Sequence, residues 1–149
     1  VPGALNSVFT KDWDDLTTDE SSSDGTGFEI DIEFLTYTFG PKRGKVHLAI
    51  HADKVEGFEK HPFVKDPDLN FNPSADFHEW GFDIYPDRIV WHVDGKAFAT
   101  WKVPEGKTIP PGGHEFFFNS WTKPNWIKGP PKKPAHYQID WVRFYPLKK

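Results

Sequence analysis

The chain has 149 residues, 37% hydrophobic and 17% aromatic, with a formal net charge of −4 and no cysteine. This size suits a single globular domain, residues 1–149, and the absence of cysteine excludes disulfides, thiol nucleophiles and thiolate metal sites. Because lysines and arginines are spread along the chain and no apolar run reaches membrane length, neither nucleic acid nor membrane is expected as a partner.

Alternating or aromatic-rich runs predict eight strands. In chain order they cover residues 4–9, 28–37, 45–51, 76–85, 88–94, 97–102, 114–121 and 136–145. Asp94-Gly95 is a strong signal for a two-residue hairpin, and 110–113 is a further turn. Three longer loops, 11–27, 54–74 and 123–134, are typical of mobile or binding segments. No segment of helical length carries a 3.6-residue apolar stripe, so the predicted fold is an all-β, mostly antiparallel sandwich.

The second predicted strand carries three acids at alternate positions, Glu29, Asp31 and Glu33. Alternation directs all three to one face of the strand. Acids in such a row repel one another and form strands poorly, which favours a functional role over a solvated face. Retaining glycoside hydrolysis needs a carboxylate nucleophile and a protonated carboxyl about 5–5.5 Å apart. Two glutamates four positions apart can lean towards such a point, although spacing alone does not assign their roles.

The segment 29–35, with the sequence E-I-D-I-E-F-L, resembles the active-site strand of glycoside hydrolase family 16. Further similar segments follow in the family's order at 73–78, 89–95, 119–121 and 137–145. The resemblance extends from about Pro2 to Pro146. It implies a concanavalin-A-like jelly roll, which is an antiparallel two-sheet β-sandwich.

Within that family, the unbroken E-x-D-x-E strand resembles bacterial lichenases and plant xyloglucan transglycosylases, and the segment 141–149 is similar to the lichenase ending. The resemblance therefore implies a secreted, retaining endo-β-glucanase that acts on β-1,3-1,4-glucan or a related β-glucan and requires no cofactor. Two alternatives stay open: a transglycosylase on β-glucan or xyloglucan, and a non-catalytic carbohydrate-binding protein on the same fold.

The resemblance also implies roles for individual residues. Glu29 corresponds to the nucleophile, Glu33 to the general acid/base and Asp31 to an assisting carboxylate. Three further residues correspond to substrate contacts: Asn119, Trp121 and Trp126.

One more acid, Asp140, corresponds to a residue that helps to bind a structural calcium in lichenases. The seven histidines form no metal-binding signature. Among them, His47 follows the acidic strand and is a candidate only for tuning it.

Family members have several strands before the segment that corresponds to 1–9, and these strands are missing from the sequence. We therefore expect a processed or cleaved product with exposed sheet edges and apolar faces. Three explanations stay open: a second polypeptide that completes the sandwich, a truncated fragment, and self-association.

Overall fold

The computed structural model describes residues 2–12, 27–110 and 114–147, and within them it contains nine strands, one 3₁₀ turn and one short helix. The predicted loop 11–27 and the predicted turn 110–113 lie largely outside these residues. The elements are β1 (Leu5–Asp12), β2 (Phe28–Leu35), the 3₁₀ turn Thr36–Thr38, β3 (Gly44–Ala52), β4 (Phe63–Lys65), β5 (Asp68–Leu69), β6 (Trp80–Tyr85), β7 (Arg88–Val93), β8 (Lys96–Lys102), β9 (His114–Trp121) and α1 (Pro124–Ile127).

The strands form two antiparallel sheets. The large sheet has the order β4-β3-β2-β1-β9, with β5 also paired to β3, and the small sheet has the order β6-β7-β8. The prediction of an all-β antiparallel sandwich is confirmed. Among the described residues, no helix has the length and apolar character needed to cross a membrane.

The main core lies between the two sheets and explains which face of β2 is apolar. Its side chains Phe28, Ile30 and Ile32 are fully buried and belong to one cluster with Ile89 and Trp91 of the small sheet. Burying a side chain of this size stabilises the fold by about 1.5–3 kcal/mol. Since the even-numbered positions of β2 face this core, the odd-numbered acids face the other side of the large sheet.

A hydrogen bond crosses the core to the acidic strand. The Trp91 indole Nε1 donates to the backbone carbonyl of Asp31 at 3.2 Å, and the Trp91 ring stacks on Phe63 at a centroid distance of 4.9 Å. Both partners of this hydrogen bond are buried, so its loss would leave a polar group unsatisfied. The small sheet thereby supports the backbone at the middle acid.

The predicted hairpin at Asp94-Gly95 is confirmed. These two residues have φ of 49° and 73°, and they join Val93 and Lys96, which are paired in the ladder between β7 and β8. Positive φ at both central positions is the signature of the turn that matches the twist of a hairpin. Glycine adopts this conformation without a steric penalty.

The prediction of a strand at 136–145 is wrong. This segment follows α1 outside any ladder, and residues 138–147 are exposed. It lines a cleft of about 740 Å³ together with β6 and the core-side face of the large sheet. A strand forms only where a neighbour supplies ladder hydrogen bonds, and across this cleft no described strand lies beside the segment.

Some predicted bounds also shift. The predicted strand 76–85 begins only at Trp80, because Asn72 and Ser74 form a side-chain turn and His78 is tied to Asp94 at 2.8 Å. The predicted strand 28–37 ends at Leu35 in the 3₁₀ turn. The predicted loops 54–74 and 123–134 contain the short strands β4 and β5 and the helix α1.

Candidate active site

The three acids of β2 lie on the face of the large sheet that points away from the small sheet. Across the ladder, Glu29 is paired with Lys11 of β1 and His51 of β3, and Glu33 is paired with Ser7 and His47. Same-face neighbours in adjacent strands lie close enough to interact directly. The register therefore surrounds a row of carboxylates with cationic and polar groups.

Glu29 has an ammonium partner. Lys11 Nζ lies 2.8 Å from Glu29 Oε2, and their side chains are 28% and 19% exposed. Lys11 thus places a positive charge against the Glu29 carboxyl at this end of the acid row.

Asp31 is the most buried of the three acids, with 4% of its surface exposed. Burial, together with the charge of Glu29, raises the pKa of Asp31 to about 6, against the opposing effect of His51. His51 Nε2 lies 3.2 Å from Asp31 Oδ2, and this contact in turn raises the pKa of His51 above its usual value. Asp31 therefore lies between the Glu29 carboxyl and the imidazole of His51.

Glu33 has the opposite environment to Glu29. Burial, followed by the charge of Asp31, raises the pKa of Glu33 to about 8, although His51 and Lys123 oppose the shift. Its carboxyl is therefore protonated at neutral pH. Two carboxyls whose surroundings favour different protonation states are the usual arrangement of a nucleophile and an acid.

The predicted contacts Asn119 and Trp121 lie on the same face as the acids. In the ladder between β1 and β9, Ser7 is paired with Asn119 and Leu5 with Trp121. Ser7 Oγ donates a hydrogen bond to Asn119 Oδ1 at 2.6 Å, which orients the amide next to the acid row. The prediction that Asn119 and Trp121 share one face is confirmed.

Trp126 lies on α1 and reaches the same face. Its ring is 5.9 Å from Trp121 and 5.3 Å from His47 by centroid distance. Lys123 Nζ lies 5.9 Å from the Trp121 ring and 5.8 Å from the Trp126 ring. Half-buried indole rings beside carboxylates provide flat apolar surface on which sugar rings stack.

The structure does not bring Asp140 to the acid row. It is exposed in the segment after α1 and lines the cleft on the core side of the large sheet. Among the described residues, the group of histidine and acidic side chains able to share a metal ion consists of Glu29, Asp31 and His51, whose ligand atoms lie within 4.8 Å of one another. A calcium site at Asp140 thus stays a prediction whose further ligands the described residues do not identify.

Sequence reasoning missed several of the side chains that surround the acid row. Lys11, His51 and the ring of Phe9, which is stacked on Phe117 at 5.0 Å, all lie on its face. A signal for the histidines was present, because His47 and His51 have the same four-residue spacing as Glu33 and Glu29. Two antiparallel strands with equal spacings can align both pairs, as the register does.

Comparison with known proteins supports the similarity that the site suggests. The sequence profile described as Glycosyl hydrolases family 16 matches residues 13–143. A curated relative, the β-glucanase of Bacillus subtilis (strain 168), is 34% identical over 131 residues, which are 82% of this chain and 47% of the relative.

Solved structures show the same fold. The Bacillus licheniformis β-glucanase superposes with a TM-score of 0.63 at 23% identity, covering 89% of this chain and 54% of that protein. A prokaryotic β-1,3-1,4-glucanase (lichenase) derived from a mouse hindgut metagenome has a TM-score of 0.58 at 26% identity, covering 85% of this chain and 51% of that protein. The chain thus spans about half the length of each of these proteins.

Proposed function

Since this chain belongs to glycosyl hydrolase family 16, we propose that it is a retaining endo-β-glucanase acting on β-1,3-1,4-glucan or a related β-glucan. The observation that carries the proposal is the contrast between two glutamates on one strand face. Glu29 is paired with an ammonium group at 2.8 Å, whereas Glu33 has a pKa raised to about 8 by burial and by neighbouring acids.

The contrast supports a role for each carboxyl. In the first step, a Glu29 oxygen attacks the anomeric carbon while the Glu33 proton passes to the departing glycosidic oxygen, which breaks the glycosidic bond. In the second step, water attacks the anomeric carbon, Glu33 takes the proton of that water, and the Glu29 carboxylate is released. Asp31 lies between Glu29 and His51, and its side-chain hydrogen bond holds the nucleophile in place.

Several side chains around the acids support the binding of a polymer. Asn119 and the rings of Trp121, Trp126 and Phe9 lie along the surface of the large sheet beside the acid row. Aromatic surface and a few placed polar groups are the usual elements of a sugar site. The proposed substrate is therefore a polymer rather than a short oligosaccharide.

The test follows the products on several polymers. Lichenan, barley β-glucan, laminarin and xyloglucan are each incubated with the protein, new reducing ends are counted, and ¹H NMR identifies the anomer that forms first. We expect cleavage of mixed-linkage glucan with initial release of the β anomer. The α anomer as first product would refute the retaining mechanism, and sugar transfer to an added acceptor without net hydrolysis would favour the transglycosylase.

A matched pair of variants tests the nucleophile. Glu29→Gln keeps the shape of the side chain and removes the attacking oxygen anion, so turnover should fall by several orders of magnitude while glucan binding persists. Glu105→Gln, the same change in the exposed turn between β8 and β9, is the control and should retain the parent rate. Binding of glucan by the parent protein without turnover would favour the carbohydrate-binding module.

We also propose that a second polypeptide fills the cleft on the core side of the large sheet. Phe116 and Phe118 of β9 are 47% and 38% exposed there, Trp141, which also lines the cleft, is 47% exposed, and β6 is an edge strand of the small sheet. Extended segments that pair with such an edge would cover these rings and satisfy the free ladder groups.

Native mass spectrometry of the purified material tests this assembly. A second polypeptide in defined stoichiometry is the expected result, and the isolated chain should aggregate or bind a hydrophobic dye. Homo-oligomers would mean that another copy fills the cleft. A lone monomer with a cooperative melt and no dye binding would overturn the proposal.

We also propose a location for the activity and the role of metal ions. Since a polymeric glucan does not cross membranes, we place the activity outside the cell, which immunodetection in culture supernatant checks. The chemistry needs only the carboxyl groups, so no cofactor is required. A structural calcium at Asp140 predicts that chelation lowers the melting temperature of the assembly and that Asp140→Asn removes this effect.

A further inference from the structure

His47 contacts three side chains at once, namely Asp66, Glu33 and Trp126. Its ring Nδ1 lies 2.5 Å from Asp66 Oδ1 and its Nε2 lies 3.9 Å from Glu33 Oε2. The edge of the ring meets Trp126 at a centroid distance of 5.3 Å. The imidazole is thus fixed on one side by a carboxylate and on another by an indole, and it turns its remaining nitrogen towards Glu33.

Asp66 fixes the orientation of the His47 ring. An ionised carboxylate only accepts hydrogen bonds, so the Nδ1 atom of His47 must donate to Asp66. The opposite atom, Nε2, is then directed at Glu33 in a fixed orientation. Asp66 itself is about half exposed, with 49% of its side chain accessible, whereas the His47 side chain is 17% accessible.

We propose that His47, held by Asp66, is a positioning residue that fixes the direction of the Glu33 carboxyl during proton transfer to the leaving oxygen. The inference rests on the proposed role of Glu33 as acid/base. A glutamate has several rotatable bonds, and misplacement of a catalytic group by about 1 Å can cost about 10²-fold in rate. The neighbouring strand β3 supplies, at the position paired with Glu33, a ring that limits this movement.

The distance between the two groups suits this task. At 3.9 Å, His47 Nε2 contacts the Glu33 carboxyl without forming a hydrogen bond. The acidic proton therefore stays available to the substrate rather than being held by the imidazole. A closer contact would compete with the leaving oxygen for the proton, and a more distant one would leave the carboxyl free to rotate.

The test compares substrates that differ in their need for an acid. One substrate is a β-glucan oligosaccharide that carries a dinitrophenolate leaving group, which departs without protonation. In β-glucan itself the leaving group is a sugar, and its departure needs the proton of Glu33. His47→Ala, in the native assembly, should lower kcat/KM on β-glucan by about 10–100-fold. On the dinitrophenyl substrate, the same variant should change the rate of the first step by less than about 3-fold, measured as the burst of dinitrophenolate.

Asp66 offers a matched pair of variants. Asp66→Asn weakens the contact that orients His47. It should lower kcat/KM on β-glucan by about 3–10-fold, a smaller loss than that of His47→Ala, and should again spare the first step on the dinitrophenyl substrate. Asp68→Asn makes the same change two residues away, at an exposed acid whose partner is Lys45 at 3.3 Å, and should leave both rates unchanged. His47→Gln retains polar contact and should recover part of the β-glucan activity.

Equal losses on both substrates, or no loss on either, would overturn the role of His47. Circular dichroism spectra and melting curves of the variants show whether each one is folded before its rates are compared. Glu33→Ala separates this outcome from failure of the proposed function. This variant should lose more activity on β-glucan than His47→Ala does, while still releasing dinitrophenolate in the first step. Azide should restore its turnover of the dinitrophenyl substrate. If neither result is seen, the assignment of Glu33 as the acid is wrong.

Discussion

Glu33 should reduce the stability of the protein at neutral pH, and its replacement should reverse that effect. Its folded-state pKa of about 8 lies above the ordinary value of 4.5. Below pH 4.5 the group is neutral in both the folded and unfolded states, so it has no effect on the balance between them. As the pH rises towards 8, the unfolded chain releases the proton while the folded chain retains it, and folding loses stability.

The size of this effect follows from the two pKa values. Each tenfold difference in proton affinity corresponds to about 1.4 kcal/mol, so the destabilisation amounts to about 3 kcal/mol at pH 7. Glu33→Gln removes the ionisable group and keeps the shape. It should therefore raise the free energy of unfolding by about 3 kcal/mol at pH 7 relative to the parent, and by close to zero at pH 4.

Urea denaturation of both proteins, in the native assembly and at equal concentrations, measures the difference at the two pH values. Glu105→Gln, in an exposed turn, is the control for loss of a charge and should show little change at either pH. If Glu33→Gln gives the same change in stability at pH 4 and pH 7, the raised pKa is refuted. The assignment of Glu33 as a neutral acid in the resting protein then fails with it.

Three further outcomes are expected. The pH dependence of kcat/KM should fall on the alkaline side with an apparent pKa of about 8, as Glu33 loses its proton, and a profile that stays flat to pH 10 would contradict this. Trp91→Phe removes the indole donor that meets the Asp31 carbonyl at 3.2 Å, and it should cost about 1–3 kcal/mol in urea denaturation; an unchanged midpoint would show that the bond contributes nothing. Gly95→Ala forces a side chain into φ of 73° and should lower stability by about 1 kcal/mol, so a neutral result would mean that the turn relaxes.

The strands were predictable where a local pattern coincided with a local partner. The hairpin of β7 and β8 needs only Asp94-Gly95 and the runs on either side, and it forms as expected. The segment 136–145 has an equally regular pattern, but its pairing depends on a neighbour across the cleft. Ladder hydrogen bonds come from other parts of the chain or from other molecules, and no property of the segment itself reports whether they are present.

The acid row was likewise predictable, whereas its electrostatics were not. Alternation in β2 is enough to place Glu29, Asp31 and Glu33 on one face. The raised pKa values of Asp31 and Glu33 depend on burial and on neighbours such as His51, which belongs to another strand and is brought close only by the register. Trp126 was expected from resemblance alone, and its approach to His47 depends on a four-residue helix that no apolar periodicity signals.

The strand β2 is one layer of backbone between the cleft and the candidate active site. Ile32 and Phe34 line the cleft on one side, and Glu33, between them in sequence, faces the other side with the acid row. A displacement of this backbone moves both sets of side chains together. Any ligand of the cleft that shifts β2 therefore also shifts the acids, and such a coupling is reciprocal, so a ligand at the acids would change the affinity of the cleft by the same factor.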